Sequence, residues 1–159
     1  MCQKAVYPGT FDPVTYGHLD IIKRAREIFD EVIVAVAEKP QKQVLFSFKE
    51  RMDLLKAATA DLDNVTIEGF KGLTINYAAK KNVKVLIRGL RMISDFEYEF
   101  QMALTNRKLS SNIETIFLMP HESYSYLSSK LIKEAASLGA DLSCFVPHFV
   151  ERALKKKLR

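Results

Sequence analysis

His18 closes the stretch VYPGTFDPVTYGH, directly after Gly17 and just where an amphipathic helix pattern begins. A histidine in a first helical turn can offer a ring N–H to an anion, beside free backbone amides and the positive end of the helix dipole. Thr10 adds a hydroxyl. Gly9 and Gly17 are expected to take backbone conformations closed to other residues and to let a ligand approach closely. A lone histidine is more often a cap or a surface residue. Here the flanking glycines and the position after an apolar run favour phosphate binding.

A second cluster lies in IRGLRMISDFEYE, where Arg88 and Arg91 flank Gly89. Two planar guanidinium forks match the oxygens of a phosphate. Asp95 and Glu99 follow on a helix and are expected to hold Arg91 or a ribose, with a plain surface ion network as the alternative. Weaker signals are Lys39 and Lys42 in EKPQKQ, and Gly72, Leu73 and Thr74 in FKGLT. In PHESYSYLSSKLIKE, Tyr124, Ser125, Ser128 and Ser129 precede a helix, where capping and phosphate binding draw on the same amides. The chain contains no GxxxxGK[ST] and no GxGxxG, so the usual P-loop and dinucleotide readings fail. No Ser-His-Asp or Cys-His arrangement supplies a nucleophile.

These groups need a frame. KAVY (4–7), EVIVAVA (31–37), NVTIEGF (64–70), VKVLIRG (83–89) and ETIFLMP (114–120) read as strands. Helical patterns run from about 15–18 to 29, from SFKE at 47–50 (a Ser-x-x-Glu capping box), over LTINYAAKK, from 95 to 107, from 128 to 138, and from Pro147 onward. The alternation predicts one α/β domain over residues 1–159. It is doubly wound and Rossmann-like, with a five-stranded parallel sheet and helices on both faces. Ligands in such sheets bind beyond the carboxyl ends of the strands, where every cluster named above falls.

Composition narrows the class. The net charge of +5 suits an anionic partner, but part of it lies in the C-terminal LKKKLR, which reads as a solvated helix end. No zinc-finger or RNP-like motif appears, so no nucleic-acid partner is expected. No apolar run has the length of a membrane span, and the N-terminus lacks a secretion signal's apolar core, so a cytoplasmic protein without membrane contact is expected. Cys2 and Cys144 fall in no metal-binding pattern and read as free thiols.

YPGTFDPVTYGH resembles the opening motif of the nucleotidylyltransferases, with [HT]-x-G-H read as Thr15-Tyr16-Gly17-His18. LIRGLRMISDFEYEFQMALTNRKL and ETIFLMP…YSYLSSKLIKEAASLGADLSCFVP narrow this to a resemblance to bacterial phosphopantetheine adenylyltransferases over essentially the whole chain. Related nicotinate-mononucleotide adenylyltransferases and cytidylyltransferases would share the His18 motif but not RGLR…DFEYE. The resemblance implies adenylyl transfer from ATP to 4′-phosphopantetheine, giving dephospho-coenzyme A and pyrophosphate, with Mg²⁺ required and its ligands unassigned. It further implies a homohexamer, with coenzyme A as a feedback ligand.

Carried over by position, His18 stabilises the transition state, with Lys42 and Arg91 as further catalytic cations. Thr10, Lys42, Thr74 and Arg88 bind phosphopantetheine. Thr10, Phe11, His18, Gly89, Leu90, Arg91 and Glu99 line the nucleotide site, and Tyr124, Ser125, Tyr126, Leu127, Ser128, Ser129 and Lys130 close over ATP. Lys130 departs from the family, which commonly has serine or threonine there. A lysine would either reach the β- or γ-phosphate or point to solvent. The rival readings are transfer to another phosphorylated acceptor and a non-catalytic nucleotide or RNA binder.

Overall fold

Strands β1 (Lys4–Gly9), β2 (Glu31–Ala37), β3 (Val65–Phe70), β4 (Val85–Gly89) and β5 (Glu114–Leu118) form a parallel sheet in the order β3-β2-β1-β4-β5. This computed structural model describes residues 2–158. Met1, where the N-terminal reading begins, and Arg159, which closes the C-terminal charge run, lie outside the described residues. The helices are α1 (Tyr16–Ile28), α2 (Phe48–Ala58), α3 (Thr74–Lys80), α4 (Ile93–Leu109), α5 (Ser129–Ser137) and α6 (His148–Lys157), with a 3₁₀ turn at Glu122–Tyr124.

Alternation along the strands explains why β2 is apolar from Val32 onward. Val32, Val34 and Val36 join one buried cluster, together with Ile22 of α1, Leu55 of α2, Ile132 of α5 and Leu154 of α6. Ile33 and Ala35 point to the other face, where Ile75 and Ala78 of α3 cover them. A strand buried on both faces has no polar side to show, as parallel sheets demand. Each fully buried aliphatic side chain contributes roughly 1.5–3 kcal/mol.

The chain lays β2 and β3 on one side of β1, then crosses to place β4 and β5 on the other. The connections leaving β1 and β4 therefore diverge, and a crevice opens at their carboxyl ends.

The element boundaries shift by a few residues. β1 continues through Pro8 and Gly9, α4 begins two residues before Asp95, and Pro147 caps α6 rather than occupying its first turn. The capping box at Ser47 is complete. Ser47 Oγ accepts from the Glu50 amide at 3.2 Å, and Glu50 Oε2 accepts from the Ser47 amide at 2.7 Å.

The glycine expectation needs correction. Neither Gly9 nor Gly17 has a positive φ; the left-handed residue of this bend is Phe11, at φ 51°. Holding a bulky L-residue there costs on the order of 1–2 kcal/mol, which its near-complete burial offsets. Gly9 is needed for space instead, because a Cβ there would meet the Phe11 ring at 2.9 Å.

Arg51, on α2, is 1% exposed and holds this bend from beneath. Its Nη1 donates to the carbonyls of Thr10 (2.8 Å) and Ala37 (2.9 Å), its Nη2 donates to Glu38 O, and the guanidinium lies over the Phe48 ring. Arg51→Met keeps the bulk but orphans these carbonyls, so stability should fall by about 3 kcal/mol. Urea unfolding with an unchanged m-value checks this, and an unchanged midpoint would mean that water takes over the carbonyls.

Candidate active site

The crevice is a cleft of about 720 Å³, walled by the ends of β1 and β4, the starts of α1 and α5, and the loop after β2. His18 sits at its inner wall in a capping box of its own. The Thr15 amide donates to His18 Nδ1 at 3.0 Å, and the His18 amide donates to Thr15 Oγ1 at 3.3 Å. Accepting an N–H leaves Nδ1 without a proton, so the neutral ring carries its hydrogen on Nε2. The Phe11 ring stands edge-on at 5.0 Å and fixes the imidazole plane.

Burial, and then the positive charges of Arg91, Lys42 and Arg88, push the His18 pKa down to about 3. At neutral pH the histidine is therefore an oriented, uncharged hydrogen-bond donor.

The cleft carries five cationic side chains (Lys42, Arg88, Arg91, Lys130 and Lys133) and three carboxylates. Each carboxylate is committed to a cation. Glu99 takes Arg88 in a two-bond fork, at 2.9 Å to Nε and 2.6 Å to Nη2, while Arg88 Nη1 donates to Pro8 O at 3.0 Å. Asp95 pairs with Arg91 at 3.3 Å, and Arg91 Nη1 also donates to Leu127 O. Asp12 pairs with Lys133 at 2.6 Å. Lys42 and Lys130 form no ion pair among the described residues. Burial works against the Arg88 charge, but Glu99 outweighs it and holds the guanidinium above its ordinary range.

At the far wall Ser128 caps α5, its Oγ accepting from the Leu131 amide at 3.1 Å. The amides of Ser129 and Lys130 precede any helical acceptor and are left for a ligand. A set of free amides, two lysines without an ion pair among the described residues and an oriented N–H has the chemistry to bind several phosphate groups.

Residues 6–135 match the cytidylyltransferase-like family model. A phosphopantetheine adenylyltransferase of Caldanaerobacter subterraneus is 56% identical over 155 residues, covering 98% of this chain and 97% of that protein. One from Desulfitobacterium hafniense is 58% identical over 153 residues, covering 96% of this chain and 94% of its own. The chain belongs to the phosphopantetheine adenylyltransferase family. Solved structures share its fold at low identity. A bifunctional NMN adenylyltransferase/ADP ribose pyrophosphatase of Francisella tularensis aligns with TM-score 0.71 at 16% identity, over 98% of this chain and 49% of that one. A lipopolysaccharide core biosynthesis protein of Thermoplasma volcanium aligns with TM-score 0.58 at 18% identity, over 76% of this chain and 99% of that one.

Of the residues expected to form a phosphopantetheine adenylyltransferase site, Thr10, Phe11, His18, Lys42, Arg88, Gly89, Arg91, Glu99 and Leu127–Lys130 all line the one cleft. Others do not. Thr74 starts α3 beyond β3, two strands away from β1. Leu90 lines an adjoining apolar pocket of about 280 Å³ with Ile93, Phe96 and Met119, which meets the cleft at Arg91. Tyr124 and Ser125 lie in and just after the 3₁₀ turn, whose Tyr124 carbonyl backs onto Gly17, and Tyr126 packs edge-on against Phe145.

Of the two carboxylates expected to hold Arg91 or a ribose, Asp95 does pair with Arg91, whereas Glu99 is corrected to a partner of Arg88. Ser129 differs too, because its hydroxyl donates to Pro13 O at 2.8 Å and leaves its amide as the group for an anion. Sequence reasoning missed Asp12 and Lys133. Asp12 lies inside the GTFDP motif, and Lys133 shares a helix face with Ser129 at i,i+4 spacing, so both carried a usable signal.

Proposed function

We propose that the chain transfers the adenylyl group of ATP to the phosphate of 4′-phosphopantetheine, releasing pyrophosphate and forming dephospho-coenzyme A in coenzyme A biosynthesis. The observation that carries the reading is the tautomer of His18. With Nδ1 taken by the Thr15 amide, its Nε2–H is left for a ligand on the wall of a cleft lined by five cations, in a chain of this family.

An acceptor phosphate oxygen attacks the α-phosphorus, the new P–O bond forms, and the bond to the bridging oxygen of pyrophosphate breaks. A phosphate monoester is already nucleophilic, so the protein supplies position and charge stabilisation. His18 donates to an α-phosphate oxygen, and Lys42 and Arg91 stabilise charge passing from the acceptor to pyrophosphate. Arg88, fixed by Glu99, presents its remaining N–H groups to the acceptor phosphate beside Thr10. Phe11 and Gly89 border the nucleotide, and the amides of Ser129 and Lys130 receive its outer phosphates. Thr74, Leu90 and Tyr124–Tyr126 contact the parts of the substrates that extend past the cleft.

Mg²⁺ carried on the ATP phosphates would neutralise part of their charge. The committed carboxylates fit this reading, because Mg²⁺ is commonly held by substrate phosphates and water rather than by a protein cage. Coenzyme A, which contains the product's framework, is proposed as a feedback ligand of the same cleft.

The deciding experiment measures pyrophosphate release from ATP and Mg²⁺ with 4′-phosphopantetheine, with nicotinamide mononucleotide and with no acceptor. Release with phosphopantetheine alone, and dephospho-coenzyme A by mass, is the expected result. Release only with nicotinamide mononucleotide would keep the His18 chemistry and overturn the acceptor.

We also propose self-association through α4, as a homohexamer. Ile93 is 92% exposed, Phe96, Tyr98, Phe100 and Leu104 are also exposed, and Glu99 alone on this helix is buried. A helix apolar on several sides is not left to solvent. Phe96→Glu should give smaller species by sedimentation, and a monomeric parent protein would overturn the proposal.

A further inference from the structure

A carboxylate deep in an anion-binding cleft repels the ligand unless it does something else there. Asp12 is 2% exposed, and its two oxygens receive three donors from two separate elements. Oδ2 accepts from the Leu45 amide at 2.9 Å and Oδ1 from the Phe46 amide at 2.8 Å, both in the loop that carries Lys42. Lys133 of α5 donates to Oδ2 at 2.6 Å. A second tie runs beside it, from Ser129 Oγ to Pro13 O, and Arg51 fixes the Thr10 carbonyl on the other side of the bend.

We propose that Asp12 is a positioning residue which locks the Lys42 loop and, through Lys133, the middle of α5 to one bend, setting the spacing between the cations on either side of the cleft. The inference rests on the adenylyl-transfer reading only for what that spacing serves. With three donors in place, Asp12 has little capacity left for a metal or a ligand, so its influence passes through Lys42 and Lys133.

Lys42 reports on this arrangement. Sharing the cleft with it are Asp12 from the bend, His18 of α1, Arg88 at the end of β4, Arg91 after β4, and Lys130 and Lys133 of α5; Asp95 and Glu99 of α4 are paired with the arginines. Burial, and then Lys133, Arg88 and Arg91, lower the Lys42 pKa, and Asp12 is the group that raises it. Two changes within the same pair should therefore move it in opposite directions.

The test is a ¹³C-lysine NMR titration of the ligand-free protein, with Lys42 assigned through Lys42→Arg. Asp12→Asn should lower the Lys42 pKa. Lys133→Met, which leaves Asp12 with both backbone donors and frees its charge, should raise it. If Asp12→Asn fails to fold, Lys133→Met still decides. An unmoved Lys42 in Lys133→Met, or shifts of the same sign in the two variants, would overturn the proposal. In turnover assays Asp12→Asn should lower kcat on the order of a hundredfold, the scale of a misplacement near 1 Å, with Asp12→Glu recovering part of it. An inactive parent enzyme would sink the adenylyl-transfer reading, while the titration would still judge Asp12.

Discussion

Replacing His18 with alanine should lower kcat about a hundredfold, since one pre-aimed donor to a developing oxyanion is worth on the order of 3 kcal/mol. The KM values should change little, because the bond strengthens mainly in the transition state. The variant should fold. It loses the side chain that receives the Thr15 amide, a capping loss near 1 kcal/mol.

The pH dependence gives a second, independent reading. With its pKa at about 3, His18 stays neutral from mildly acid to alkaline conditions. The parent enzyme should therefore show no inflection near the ordinary histidine value that disappears in His18→Ala. Near-normal turnover of His18→Ala would falsify the assignment, and an inflection of that kind would show that the imidazolium is the working form.

Arg88→Met should raise the KM for the phosphorylated acceptor by roughly tenfold to a hundredfold, the worth of charge-assisted hydrogen bonds to one phosphate. Stability should also fall, by up to about 3 kcal/mol, because Glu99 is left buried without its partner. The two effects separate in Arg88→Met/Glu99→Leu. Removing the orphaned carboxylate restores melting temperature, and KM stays high if the arginine binds substrate. Arg88→Lys should also bind poorly, since an ammonium cannot serve Glu99, Pro8 O and a phosphate with one planar fork. Recovery of KM together with stability in the double variant would make Arg88 purely structural.

The order of strands and helices, the capping box at Ser47 and the concentration of phosphate-suited residues after successive strands were all legible in the chain. These depend on periods and spacings of a few residues, which local sequence carries. The His18 box was harder to see, because a histidine stands where glutamate or glutamine usually reaches back to the cap. Arg51 was invisible for a different reason. Nothing local marks a cation on an amphipathic helix as buried, and the carbonyls it serves belong to β2 and to the bend after β1.

By itself, then, the sequence determined a doubly wound sheet, an anion-binding edge and a family-specific set of residues on it. Tertiary structure alone decided which charges meet. Glu99 was free by spacing to serve Arg91 or a ribose, and folding gave it to Arg88. Asp12 and Lys133 stand 121 residues apart and form one pair at the floor of the cleft. The physical reason is range. Helix and strand patterns are set by neighbours within a turn or two, whereas ion pairing in a cleft follows from how the strand ends converge, and that convergence exists only once the sheet has been assembled.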